Sequence, residues 1–245
     1  MEYLAYDLLH LERRVRIMER RLERRALRDV MEPLELPDDE FINLYRISPD
    51  MATDLIQALR PHLARQRPYG LSVEKQVLIA LRFYATGSYQ NPVGNQEGLT
   101  MSQPSVSRCV HAVTDSINNV FLRRKIRFPL TAEERNAARL KFANAMQPFY
   151  GAIGAVDCTH VSIRGPSDHE EAYVNRYGYH SLNVQVVCNP DYKILNINAR
   201  FPSARHDAYI WSNSPVRSCM ERNFERGERQ TWLIGKYMFF FKFCE

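Results

Sequence analysis

The chain has 245 residues, 45% of them hydrophobic and 25% charged, the balance of a soluble globular protein with room for one large domain or a helical module beside a catalytic-sized core. No apolar run approaches the roughly 20 residues needed to span a bilayer, and charge interrupts the N-terminal apolar residues from the start, so no signal peptide is read there. The formal charge of +5 and pI of 9.0 permit nucleic-acid binding without establishing it.

Residues 4–28 read as one amphipathic helix. Leu4, Leu8, Leu11, Val15, Met18 and Leu22 recur at alternating spacings of four and three, a heptad seam. Its other faces are rich in Arg, interspersed with Glu12, Glu19 and Glu23. A solvated helix packed on the body, a short dimerising coil, a phosphate-contacting arm and a nuclear-import signal all fit this pattern. Pro33 and Pro37 stop the helix, and Asp38 to Glu40 read as an acidic linker.

Ser48 with Pro49 behind it opens a helix to about Leu63. After a basic loop, Ser72 caps the next, with Val73, Val77, Ala80, Leu81 and Tyr84 as its buried stripe. Residues 91–117 then read as helix, three-residue turn and helix: Val93 to Leu99, Thr100 to Ser102, Gln103 to Ile117. That is a helix-turn-helix pattern, or an ordinary helical hairpin. In the first reading Gln103, Ser105, Ser107 and Arg108 are exposed and can hydrogen-bond base edges or phosphates, while Val106, Val110 and Val113 face the core. A second basic cluster, FLRRKIR, follows at 121–127, and Thr131 with Glu134 makes a capping box.

The second half turns to strands. Gly151 to Ile163, GAIGAVDCTHVSI, is apolar with Asp157 in its middle. A carboxylate on a buried strand is costly unless paired or metal-bound, whereas on an edge strand it simply faces water. His180 to Cys188 alternates, with Leu182, Val184, Val186 and Cys188 on one face and Asn183 and Gln185 on the other; Lys193 to Phe201 is a third strand. Short turns would join these into an antiparallel meander. A helix begins at His206-Asp207, another covers 217–226, and Trp232 to Ile234 is a fourth strand. Helices followed by a meander with flanking helices is an α+β order. Five scattered cysteines without CxxC spacing (Cys109, Cys158, Cys188, Cys219, Cys244) read as free thiols in a reducing compartment. A zinc site from Cys158, His160 and His206 would lack a second pair of ligands.

VDCTHV, NRYGYHSLNVQVVC and HDAYIW, in this order and spacing, resemble the nuclease domain of Harbinger transposase-derived nucleases, domesticated relatives of PIF/Harbinger transposases. The resemblance runs from about Ser72 to Gly235. It implies a helix-turn-helix at 91–117 and a ribonuclease H-like core of the DDE superfamily. The chain then divides into a basic helix (1–36), a helical region (37–147) and a nuclease core (148–245). It also implies a DNA endonuclease using Mg²⁺ or Mn²⁺, with Asp157 and Asp207 as catalytic metal ligands. Gln103, Ser105 and Arg108 become the DNA-contacting residues. DNA is the expected partner, a Myb/SANT-like DNA-binding protein and a second copy are further ones, and the nucleus, with the cytoplasm second, is the expected compartment.

Cutting a phosphodiester with divalent metals requires several carboxylates held together on rigid elements, so Asp157 and Asp207 are expected within reach of one ion. The family pattern continues Gly-Asp-Ser-Gly-Tyr, whereas here Gly235 precedes Lys236 and a Phe-rich tail, and a later Glu has no counterpart before Glu245. The tail reads as a frameshift, a retained intron or a truncated gene model, and the chain is expected to be inactive and poorly soluble. A non-catalytic DNA-binding or partner-binding protein that keeps the fold is the alternative, and a non-functional fragment a third reading.

Overall fold

The computed structural model describes residues 2–28, 32–63, 71–95 and 98–235. It divides into two compact units, Met1–Leu122 and Arg123–Glu245.

The first unit is helical: α1 (Glu2–Arg28), a 3-10 turn (Pro33–Glu35), α2 (Asp38–Tyr45), α3 (Pro49–Leu63), α4 (Val73–Thr86), α5 (Gln90–Gly94) and α6 (Gln103–Ile117), then a π-helical turn at Asn118–Leu122. Helix α4 is its axis. It packs against α2, α3, α5 and α6, and burying Val77, Leu78 and Ile79 against Phe41, Leu59, Leu99, Val106 and Val113 closes the core. Local caps set the helix starts: Met51 donates to Ser48 Oγ at 3.3 Å and Lys75 to Ser72 Oγ at 3.2 Å.

Three sequence expectations change here. Asp38, Asp39 and Glu40 are the first turn of α2 rather than a linker, where acids complement the positive end of the helix dipole. Tyr84 is half-exposed and pairs its hydroxyl with Thr114 Oγ1 at 2.6 Å. Helix α5 ends at Gly94, not Leu99. There Met101 donates to the Gly94 carbonyl at 2.7 Å, and a Cβ at residue 94 would lie 2.7 Å from the Met101 carbonyl oxygen. The segment joining α5 to α6 is therefore longer than the three-residue turn expected.

The second unit opens with α7 (Arg123–Lys125) and α8 (Ala132–Ala143), continues through β1 (Ala152–Ser162), a 3-10 turn (Glu170–Tyr173), β2 (Ser181–Cys188), β3 (Ile194–Pro202), α9 (Asp207–Ser212) and α10 (Pro215–Glu225), and reaches β4 (Trp232–Gly235). Sheet order is β3-β2-β1-β4. The first three strands are antiparallel neighbours and β4 runs parallel to β1, reached through α9 and α10. The β2–β3 link is tight, but residues 163–180 make a long connection between β1 and β2 instead of a short turn. Helix α8, expected in the helical region, packs on β1, with the reciprocal Thr131–Glu134 capping box at its start.

On β2 the burial is the reverse of the simple apolar-in expectation. Asn183 and Gln185 are buried with Val187, and of the expected apolar face Val184 is buried while Leu182, Val186 and Cys188 are only half-buried. The polar stripe of β2 thus lines the interior.

Gly151 anchors the β1–β4 pairing. Its φ is +83°, and a Cβ there would lie 2.4 Å from the Trp232 ring. Gly151→Ala is expected to cost at least about 1–2 kcal/mol from the left-handed backbone alone, more with the displaced indole. A thermal melt checks this, and an unchanged midpoint would contradict it.

Candidate functional site

Asp157 lies mid-β1, opposite Val186 and one residue beyond the last β1–β4 pair, Val156 with Gly235. It is exposed. Its Oδ1 accepts the Cys158 backbone N–H at 2.9 Å. It lines a cleft of about 460 Å³ with Ala155, Val156, Val186, Cys188, Ile234 and Gly235, the one charged group among the described residues of an otherwise apolar wall.

Asp207 is the first residue of α9. Asn183 Nδ2 donates to its Oδ1 at 2.8 Å and to the Arg205 carbonyl at 3.0 Å. A buried amide on β2 therefore ties the carboxylate to the sheet. Sequence reasoning placed Asn183 on a polar face and missed this role. The available signal was an amide inside an otherwise β-branched strand.

Cys158 stands between the two acids. Burial first, then the charge of Asp207, then that of Asp157, push its thiol up to about 12, so it stays protonated at neutral pH. Strand alternation turns Cys158 and His160 toward the layer of Asn183 and Asp207 and gives Asp157 the other pleat. The two acids flank Cys158 from different sides of β1, so the expectation that both stand within reach of one ion is not met in this arrangement, because adjacent strand positions alternate between faces. Among the described residues neither acid forms an ion pair.

The surrounding polar residues separate into structural and exposed groups. Asn175 is buried, accepts the Tyr177 N–H at 2.9 Å and donates to Ser181 Oγ at 2.8 Å, which meets His160 Nδ1 at 3.2 Å; it shapes the β1–β2 connection. Outside it, Tyr177 and Tyr179 stack with centroids 6.2 Å apart and Arg176 lies 4.9 Å over Tyr177. Arg205 lies 4.8 Å over Tyr209, one helical step from Asp207. Thr159 is exposed, and His206 caps α9 through its backbone without a side-chain bond.

The donor types suit a hard cation: among the described residues the two carboxylates have no cationic partner, and on the Cys158 face Gln185 Oε1, opposite Cys158, and Asn198 Oδ1, opposite Gln185, are buried and accept no hydrogen bond. Among those residues no group of three His, Cys, Asp or Glu side chains is arranged as a metal cluster. Lys236 lies outside the described residues.

In the first unit, Gln103 and Arg108 are exposed and Ser105 is half-buried, drawn in by Ser102 Oγ at 3.0 Å and Arg108 at 3.1 Å. Val106, Val110 and Val113 are buried as expected. A cleft of about 290 Å³ opens at the start of α6, lined by Arg21, Arg24, Arg25, Arg108, Thr100, Ser102 and Ser105, together with Met101. Among the described residues no carboxylate lines it. Among the described residues no helix is long and apolar enough to cross a membrane.

Residues 156–236, all in the second unit, match the DDE superfamily endonuclease family. Across most of its length the chain resembles Harbinger transposase-derived nucleases. It is 34% identical over 214 residues to human putative nuclease HARBI1, covering 85% of this chain and 58% of that protein. It is 35% identical over 212 residues to the rat protein of the same name, covering 84% and 58%. Protein ALP1-like of Arabidopsis thaliana is 23% identical over 177 residues, covering 67% of this chain and 42% of that protein. The chain thus spans 58% of the length of the HARBI1 relatives. No solved structure shows a significant match.

Proposed function

We propose that this chain carries the DNA-binding region and part of the catalytic core of a metal-dependent DNA endonuclease of Harbinger transposase descent. The observation carrying this reading is the DDE endonuclease match beginning at Val156, which includes Asp157 and Asp207, two acids without cationic partners on the framework of β1 and α9. The sheet order β3-β2-β1-β4 with its helical crossover supports the ribonuclease H-like core.

By the family resemblance Asp157 and Asp207 would hold the divalent cation, Mg²⁺ or Mn²⁺, and because they lie toward different faces of β1, a shared ion would require the two carboxylates to move together. Such an ion polarises a phosphoryl oxygen and makes bound water more acidic. The protein's own part is positioning: Asn183 fixes the Asp207 carboxylate and the Cys158 amide holds that of Asp157. Arg176 and Arg205, backed by Tyr177 and Tyr209, offer cations to the phosphates of an approaching strand.

DNA binding is assigned to α5–α6 as a helix-turn-helix, with Gln103, Ser105 and Arg108 at the contact surface and the arginines of α1 beside it. The convergence of Arg21, Arg24 and Arg108 on one cleft supports phosphate contact. Duplex binding by the 245-residue chain is expected to weaken steeply with salt. Arg24→Ala should lower the salt slope by about 1 for all duplexes, whereas Gln103→Ala should change preference among sequences. Fluorescence anisotropy across a salt series measures both, and salt-independent binding, or none at low salt, contradicts the assignment. Nuclear residence and a Myb/SANT-like DNA-binding partner belong to the same proposal, on the strength of the family resemblance.

A non-catalytic DNA-binding protein on the same fold is the second reading. It is favoured by one observation, that the described residues bring only two acids to the site while the basic cleft is fully lined.

A further inference from the structure

Helix α1 presents a hydrophobic seam that its own unit does not cover. Leu8, Leu11, Val15, Met18 and Leu22 are 51–65% exposed, although α1 is 27 residues long, or about 40 Å. Isolated helices are marginal in water, and a long amphipathic one is normally held by packing of its apolar face. From Arg21 on, α1 borders the basic cleft of its own unit, so the open seam lies mainly on the N-terminal part.

The seam has the spacing of a two-stranded coil. With Leu8, Val15 and Leu22 at a, Leu11 and Met18 fall at d. Val at a beside Leu at d suits two strands. The flanks are also set. Positions e hold Glu12 and Glu19, and positions g hold Asp7, Arg14 and Arg21. In a parallel pair each g residue faces the e residue of the following heptad on the other strand, which puts Arg14 opposite Glu19 of the second copy, twice by symmetry. The same rule sets Asp7 against Glu12 at the N-terminal end, an unfavourable contact at a position where helices fray. An antiparallel pair with the seam aligned instead sets Arg14 near Arg14 of the second copy at its centre.

We infer that α1 is a homodimerisation element, a short parallel coiled coil formed with a second copy of this chain, leaving the arginines at its C-terminal end beside the DNA-facing helix of each copy. This rests on the exposed seam and its flanking charges and is independent of the nuclease reading.

Size-exclusion chromatography with light scattering on the 245-residue chain tests it. The expected species has twice the 28.7 kDa chain mass and dissociates on dilution. Leu11→Asp with Met18→Asp should leave a monomer whose tryptophan fluorescence is unchanged, both tryptophans lying in the second unit. Arg14→Glu alone should destabilise the dimer, and Arg14→Glu with Glu19→Arg should restore it. A monomeric wild type, or a Leu11→Asp, Met18→Asp chain that remains dimeric, overturns the proposal. Failure of the double charge swap to restore the dimer overturns its parallel arrangement.

Discussion

Replacing Glu228 by Ala will cost the second unit about 3–5 kcal/mol, because it strands a buried cation. Arg135 projects from α8 with its side chain only 6% exposed, against 27% for Glu228. Its Nε donates to Glu228 Oε2 at 2.7 Å, a second guanidinium nitrogen donates to Oε1, and another to the Leu130 carbonyl. This fork ties α8 to the loop after α10 and so fixes the helix that packs on β1. Arg135→Ala removes the buried group itself and leaves the more exposed partner, so it will cost less. The hydrogen bonds from Arg135 hold the Glu228 carboxyl below the usual glutamate range, against a smaller opposing effect of burial. A depressed folded pKa stabilises fully above the unfolded value and is lost as pH falls through the folded one. Wild type will therefore lose stability on acidification below the ordinary glutamate range, and Glu228→Gln will lose less of it there. Denaturant unfolding followed by tryptophan fluorescence reads both effects. A cost under about 1 kcal/mol, the value of an exposed pair, would contradict them.

The 245-residue chain will not nick supercoiled plasmid in Mg²⁺ or Mn²⁺. Positioning two ions about 3.5–4 Å apart for in-line displacement takes more fixed ligands than two acids on opposite sides of β1. Asp157→Ala should therefore make no difference to the plasmid. Nicking by the wild type that Asp157→Ala abolishes would show that the two acids, with whatever else the chain supplies, suffice for catalysis, and would remove the case for the non-catalytic reading.

Much of this fold was legible because its signals are local. Ser48, Ser72 and Thr131 announced helix starts that the structure keeps, since a cap is satisfied within three residues of its own backbone. The β1 segment and the Asp207 corner were legible for the same reason. Features set by distant partners were not. Helix α5 stops at Gly94 because the Met101 backbone approaches it, a contact invisible to periodicity. The Asn183 face of β2 reads as solvent-facing by hydropathy, yet it lies inside because Asn183 reaches Asp207 and the Arg205 carbonyl. The placement of α8 with the sheet depends on Arg135 meeting Glu228, 93 positions away. The places of Asp157 on β1 and Asp207 at the start of α9 were legible, but their arrangement about Cys158 follows from strand register, which one strand alone does not fix.

The central claim is that the Asp157 and Asp207 carboxylates, turned to different faces of β1, come together on one divalent cation when it binds. Isothermal titration of Mn²⁺ into the 245-residue chain tests it without requiring catalysis. One weak site is predicted, lost in both Asp157→Asn and Asp207→Asn and retained in Asp191→Asn, whose carboxylate pairs with Lys141 away from the site. Binding that survives either substitution at Asp157 or Asp207, or no binding by the wild type at all, would contradict the claim.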